Sequence, residues 1–299
     1  MPPWIEWLAN IENAKTRRAY RIDVADLIAF LGIEGGEEFR RVTRAHVIAW
    51  RDELKRRGAS PATIRRKLSA VASLFDYLCE RNAVPDNPAN GVRRPAIENP
   101  NEGKTPAISD DQASQLLDAP DPTTLKGKRD RAILAVFLYH GLRREELRRP
   151  TLGDLQPRRG VMHLRVQGKG GKVRYIPAHH RALDLIHNYL DATGTANAPP
   201  DTPLFRPVRN RRSGRLDKAL HPESVLRDIV QHHARRAGID IRGLCVHSLR
   251  ATAATNALEH QADIAKVQEW LGHANVSTTR LYDRRRSRVE DSPTWRGNY

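Results

Sequence analysis

The chain has 299 residues, enough for two domains or one large one, and its 39% hydrophobic and 29% charged content excludes a disordered polymer. A formal net charge of +16 calls for a polyanionic partner, and nucleic acid suits it better than a membrane, since no apolar run approaches a membrane span and no signal-peptide pattern opens the sequence. Two distant cysteines, Cys79 and Cys245, fit a reducing cytoplasm, and the twelve histidines form neither an H-x-x-x-H pair nor a Cys/His cluster, so no metal site is expected.

Residues 1–97 read as all-helical. Ile5, Leu8 and Ile11 begin a three-and-four periodicity, continued by Ala19, Tyr20, Val24, Leu27, Ile28 and Leu31. Thr16 is a candidate cap for that helix and Gly32 its stop. Thr43 opens the next helix, with Val47, Ile48, Trp50 and Leu54 inward and Gly58 after it. Ser60-Pro61 is a clear start, an N-cap serine followed by proline in the first turn. The helix from there to Arg81 buries Ile64, Leu68, Val71, Leu74, Phe75 and Leu78. Its polar side carries Arg65, Arg66 and Lys67, which read either as a solvated basic face or as contacts to a DNA backbone. Residues 91–107 are rich in Pro, Gly, Asn and charge, and 98–107 form the linker proper.

The second domain, 108–283, opens at Ser109 with an acidic first turn, Asp110-Asp111. An apolar helix over Arg131–Tyr139 stops at Gly141, followed by GLRREEL at 141–147. Strands are expected at 161–166 and 173–177, joined by the glycine-rich turn Gln167–Lys172. Helices follow near 179–193 and 222–237, with loop over 194–220. Residues 245–282 read as three short helices. Ser248 is a candidate cap for the first, with His247 and Arg250 three apart on one side. Asp263 or Ala262 opens the second, which stops at Gly272 just before His273. Ser277 caps a third, 278–283, that carries Tyr282.

These residue types suit one task. Two guanidiniums can grip the non-bridging oxygens of a phosphodiester in a planar fork and stabilise the charge of a five-coordinate transition state. A phenol has a free pKa of about 10, so attack by Tyr282 needs positive surroundings and a proton acceptor such as His247.

His247-x-x-Arg250, Leu271-Gly272-His273 and Tyr282 nine residues later together resemble the end of the tyrosine recombinase (phage-integrase-like or Xer-like) family. GLRREEL resembles that family's G-L-R-x-x-E-L box, and Gly168-Lys169-Gly170-Gly171-Lys172-Val173-Arg174 its G-K-G-x-K-x-R hairpin. Weaker cues, T-x-x-A-Y at Thr16–Tyr20, S-P-x-T-I at Ser60–Ile64 and Asn87-Pro88, resemble its SAM-like core-binding domain.

The resemblance implies a mainly α fold with a small antiparallel β-sheet, a helical N-terminal clamp and an α+β catalytic domain. It implies Arg143, Lys169, His247, Arg250, His273 and the nucleophile Tyr282 as the catalytic set, with Glu146 supporting Arg143. The bland alternative for Glu146 is charge balance with Arg148 or Arg149. Lys172 and Arg174 read as phosphate contacts, Lys172 being also the rival of Lys169 as the general acid. No metal, ATP or other cofactor is implied, since a 3′-phosphotyrosyl bond conserves the energy of the broken diester. The implied partners are double-stranded DNA recombination sites and a homotetramer on two duplexes, with room for a partner recombinase or accessory DNA-bending factor. The outcome would be integration or excision of a mobile element, or resolution of replicon dimers. The tail, 284–299, is either disordered or docks on a neighbouring subunit. The alternatives are a type IB topoisomerase-like relaxing enzyme and a non-catalytic DNA-binding protein of recombinase descent. Two departures stand out: His140 where the family commonly has Thr, and Ala251 where a His often follows the second arginine.

Overall fold

The computed structural model describes residues 4–96, 105–209 and 216–283. The chain divides into two compact units, Met1–Pro100 and Asn101–Tyr299.

The first unit is helical: α1 (Trp4–Ala9), α2 (Ala14–Leu31), a 3₁₀ turn (Gly36–Arg41), α3 (Arg44–Arg56) and α4 (Pro61–Glu80). Ser60 caps α4 by accepting from the Thr63 N–H, and Pro61 fills the first turn. The cap of α2 is Asn13, not Thr16; its side chain accepts from the N–H groups of Lys15 and Thr16. Asn13 wins because its backbone is still extended, which aims the side chain at the orphan donors of the first turn. The core joins Trp7, Leu27, Trp50, Leu68, Leu74 and Phe75, all under 5% exposed.

The basic side of α4 is less free than its sequence suggests. Arg66 pairs with the fully buried Asp23 on α2, and Lys67 reaches Asp26 at 2.8 Å. Arg65 donates to the Pro95 carbonyl at 3.2 Å. Arg66 and Lys67 therefore hold α4 to α2, because a buried carboxylate needs a counter-charge more than a solvated one does.

The second unit builds around α6 (Leu125–His140), which packs against α8 (His180–Thr193) and α11 (Val246–Glu259). Around it lie α5 (Asp110–Asp118), α7 (Arg144–Arg148), α9 (Pro222–Ser224), α10 (His232–Arg236), α12 (Ile264–Leu271) and α13 (Val276–Arg280). Residues Val225–Gln231 join α9 to α10 through a π turn. The α6 helix begins six residues before the expected Arg131, capped by Thr124. Its polar start is buried by pairing: the fully buried Asp130 accepts from Lys126 at 2.5 Å and Arg129 at 2.7 Å and meets His233 of α10 at 2.9 Å. The sheet has three antiparallel strands in the order β1 (Leu155–Arg158), β2 (Val161–Gln167), β3 (Val173–Pro177), one more than expected. Among the described residues no helix is long and apolar enough to cross a membrane.

His140, the departure noted before Gly141, is built into this core at 1% exposed. Its Nε2 accepts from the His179 N–H at 3.0 Å, and its Nδ1 lies 3.3 Å from the Val136 carbonyl, so α6 is tied to the start of α8. Burial holds this imidazole neutral, with a pKa near 4. The unfolded chain takes up a proton near pH 6.5 while the folded chain does not, so stability falls as the solution is acidified through that range toward pH 4. From pH 7 to pH 5 the loss through this group is about 2 kcal/mol. Denaturant titrations should show that fall flattened by about that amount in His140→Gln; an equal pH slope in the variant would contradict it.

Candidate active site

Four segments of the second unit converge. The first is the turn after α6. Gly141 ends the helix in the left-handed region (φ +57°), and a Cβ there would stand 2.7 Å from the Leu271 side chain, so glycine is required on both counts. That close approach brings Arg143, the residue before α7, against the end of α12. Its Nη2 donates to the Gly272 carbonyl at 3.2 Å and its Nη1 to Glu146 at 2.6 Å. Glu146 also accepts from the Arg143 backbone N–H at 2.9 Å. Burial works to raise the Glu146 carboxyl, but Arg174 and Arg143 outweigh it and leave it near 2. The alternative pairings of Glu146 with Arg148 and Arg149 do not appear; Arg148 lies 3.7 Å from Glu145.

The second segment is α11. Its cap is Cys245, not Ser248; Ser248 lies in the first turn, and its hydroxyl accepts from the Cys245 N–H at 3.0 Å. His247 and Arg250 share one side, as expected. Arg250 is fully buried, donating to the Gly141 carbonyl at 2.5 Å and to the Leu271 carbonyl at 2.7 Å. Its Nε has no partner. Burial and the neighbouring Arg143 lower its pKa to about 10, which leaves it charged at neutral pH.

The third segment runs from α12 into α13. Asp263 caps α12 and Gly272 closes it in the left-handed region, as the sequence predicts. His273 follows, with Nδ1 2.9 Å from the Thr279 hydroxyl. Burial, then Arg250 and Arg143, bring this imidazole to a pKa of about 4. The cap of α13 is Asn275, not Ser277, so the helix ends at Arg280 and Tyr282 sits just beyond it. Tyr282 is 5% exposed, packed with Ala251, Ala254, Leu258, Val267 and Leu271. Its carbonyl accepts from the Thr255 hydroxyl at 3.2 Å, and its ring stacks on His273 with centroids 6.0 Å apart.

The Tyr282 hydroxyl lies 3.0 Å from His247 Nε2. Burial, then the positive charges of Arg250 and Arg143, lower the His247 pKa, so the ring is neutral at pH 7 and able to accept a proton. Burial raises the phenol pKa, while Arg250 and Arg143 pull the other way. Positive charge beside the phenol was expected; that burial outweighs it was not.

The fourth segment is the β2–β3 hairpin. Its tip, Lys169–Gly171, is a tight turn, with the Gly168 N–H donating to the Lys172 carbonyl at 2.7 Å. The Lys169 side chain lies outside the described residues, as does the tail 284–299. Lys172 is exposed. Arg174 differs from its expected role as a phosphate contact. Its guanidinium turns inward to Glu146, with contacts of 3.1 and 2.9 Å, and its Nε donates to the Trp270 carbonyl at 3.1 Å. Arg174 and Thr279 are the site residues whose roles sequence reasoning missed. Each is defined by a tertiary partner, and only the alternation of β3 hinted that Arg174 faces inward.

Comparison with known proteins gives the same frame. The phage integrase family model matches residues 106–288, and that of the phage integrase N-terminal SAM-like domain matches 4–82. The chain is 35% identical over 270 residues to tyrosine recombinase XerC of Pelobacter propionicus, covering 89% of this chain and 83% of that one. It is 34% identical over 282 residues to tyrosine recombinase XerD of Pseudomonas putida, covering 92% and 88%. Among solved structures it resembles the XerH site-specific recombinase in a post-cleavage complex with a palindromic difH substrate (TM-score 0.73, 19% identity, 89% of this chain and 75% of that one). It also resembles a lambda integrase tetramer bound to a Holliday junction (TM-score 0.71, 18% identity, 96% and 78%). The match across both units shows that the chain belongs to the phage integrase family, the family of the tyrosine recombinases.

Proposed function

We propose that Tyr282 is the nucleophile of a site-specific DNA strand exchange. The observation that carries this reading is a phenol 3.0 Å from a neutral imidazole in a pocket that also holds two guanidiniums. Arg143 and Arg250 bind the non-bridging oxygens of the scissile phosphate, the free Nε of Arg250 being one donor available for this. Tyr282 gives its proton to His247, its oxygen bonds to phosphorus, and the bond from phosphorus to the 5′ oxygen breaks. Lys169, at the hairpin tip, protonates that leaving oxygen. The products are a 3′-phosphotyrosyl link and a free 5′-hydroxyl; attack by the 5′-hydroxyl of a second duplex reverses each step. His273, held by Thr279, contacts the phosphate. Because Arg250 is fully buried, the phosphate reaches it only after a local opening of the site.

The partners are two DNA recombination sites, gripped by a homotetramer in the cytoplasm, with Arg65 and Lys172 among the backbone contacts. The tetrameric lambda integrase of the same fold supports that stoichiometry. The duty served is integration or excision of a mobile element or resolution of replicon dimers, with or without a partner recombinase or DNA-bending factor. The test is a two-site recombination assay beside relaxation of supercoiled plasmid. Recombinant product that requires two cognate sites is expected; relaxation without site preference and without recombinants would identify a topoisomerase instead.

A further inference from the structure

Glu146 is an awkward neighbour for a phosphate site. An ionised carboxylate beside Arg143 and Arg250 repels the phosphate those guanidiniums are to bind, and it is only 3% exposed, so water screens it little. It is 2.6 Å from Arg143 Nη1 and 3.9 Å from Arg250 Nη1. The structure supplies a third guanidinium that the mechanism does not use. Arg174 grips Glu146 in a two-point fork, Nη1 to Oε1 at 3.1 Å and Nη2 to Oε2 at 2.9 Å. Its own position is fixed from the other side, where Nε donates to the Trp270 carbonyl. It also packs against Gly272, where φ is +67° and a Cβ would come within 3.2 Å of its Nη1. Arg174 thus faces the carboxylate and the turn that precedes His273.

We propose that Arg174 is a positioning residue that sets the charge of the phosphate site: by neutralising Glu146 it leaves Arg143 and Arg250 with two full positive charges for the scissile phosphate. This rests on the reading of Tyr282 as nucleophile. The balance follows from the reaction. A phosphodiester carries one negative charge, and attack by a phenolate raises it to two in the five-coordinate state. Beside the imidazolium formed at His247, three guanidiniums and one carboxylate supply two positive charges to meet it, and without Arg174 they supply only one. The mismatch falls on the transition state more than on the bound diester, so removing Arg174 should slow cleavage more than it weakens DNA binding.

The experiment uses the full chain on a nicked suicide substrate, in single turnover, at a temperature where circular dichroism shows every variant folded. R174Q should cleave roughly 100-fold more slowly than wild type, with DNA affinity within about threefold. E146Q/R174Q, which removes the carboxylate along with its partner and restores two positive charges, should cleave at least about tenfold faster than R174Q. R174K, which keeps the charge without the fork, should stay within about tenfold of wild type whether or not R174Q folds. A double variant no faster than R174Q, or a folded R174K that is down roughly 100-fold, overturns the charge assignment while leaving Tyr282 in place. No covalent adduct from the wild-type chain overturns both readings.

Discussion

Tyr282→Phe abolishes the covalent protein–DNA adduct on a nicked suicide substrate while DNA affinity stays within about threefold of wild type. The substitution removes one oxygen from a ring otherwise held by packing. Ala251, Ala254, Leu258, Val267 and Leu271 still surround it, its carbonyl still accepts from Thr255, and His273 still stacks on it. What is lost is the contact with His247, worth about 1 kcal/mol of stability, and the only nucleophile the mechanism has. Adduct yield on a denaturing gel and affinity by gel shift separate the two effects. An adduct that persists in Tyr282→Phe puts the nucleophile elsewhere; binding lost along with the adduct points to a structural role for the hydroxyl.

The second large effect concerns the two phosphate-binding arginines, whose settings differ. Arg143 has a side chain 36% exposed, whereas Arg250 is fully buried and donates to the Gly141 and Leu271 carbonyls. Each should reduce single-turnover cleavage by about 100- to 1000-fold when changed to Gln. Only Arg250→Gln should also destabilise the fold markedly, by about 3 kcal/mol, because the Gly141 carbonyl loses its guanidinium donor and the Leu271 carbonyl its short one, keeping only Arg143 at 3.5 Å. Denaturant titration beside cleavage rates checks this. Equal stability losses in the two variants would contradict the division, and so would a cleavage loss in Arg250→Gln that vanishes once the unfolded fraction is corrected for.

What could be read from the residues, and what could not, follows the range of the interactions. Ser60-Pro61 and the stop at Gly272 were legible because a cap or a left-handed stop involves neighbours in sequence. Caps went wrong where polar residues crowd. Thr16, Ser248 and Ser277 yielded to Asn13, Cys245 and Asn275, since the cap is the last residue with extended backbone and tertiary packing decides where that falls. The first strand was missed because Leu155–Arg158 is four residues long, contains Pro157 and has no alternation of its own; it exists by pairing with β2. The polar start of α6 concealed its length, since the buried Asp130 takes one of its three partners, His233, from about a hundred residues on, beside Lys126 and Arg129 on its own helix. For the site, the motifs single out Arg143, His247, Arg250, His273 and Tyr282, which the fold brings together. The inward turn of Arg174 was hard to read because its partners, Glu146 and the Trp270 carbonyl, lie 28 and 96 residues away, and the alternation of β3 was the one local hint of it.

The most direct test of the central claim is to trap the adduct on a nicked substrate, digest it with nuclease and trypsin, and sequence the modified peptide by mass spectrometry. The account predicts a residual 3′-linked nucleotide on the tryptic peptide 281–284, borne by Tyr282. A nucleotide attached at any other tyrosine, or at a serine or histidine, would contradict it.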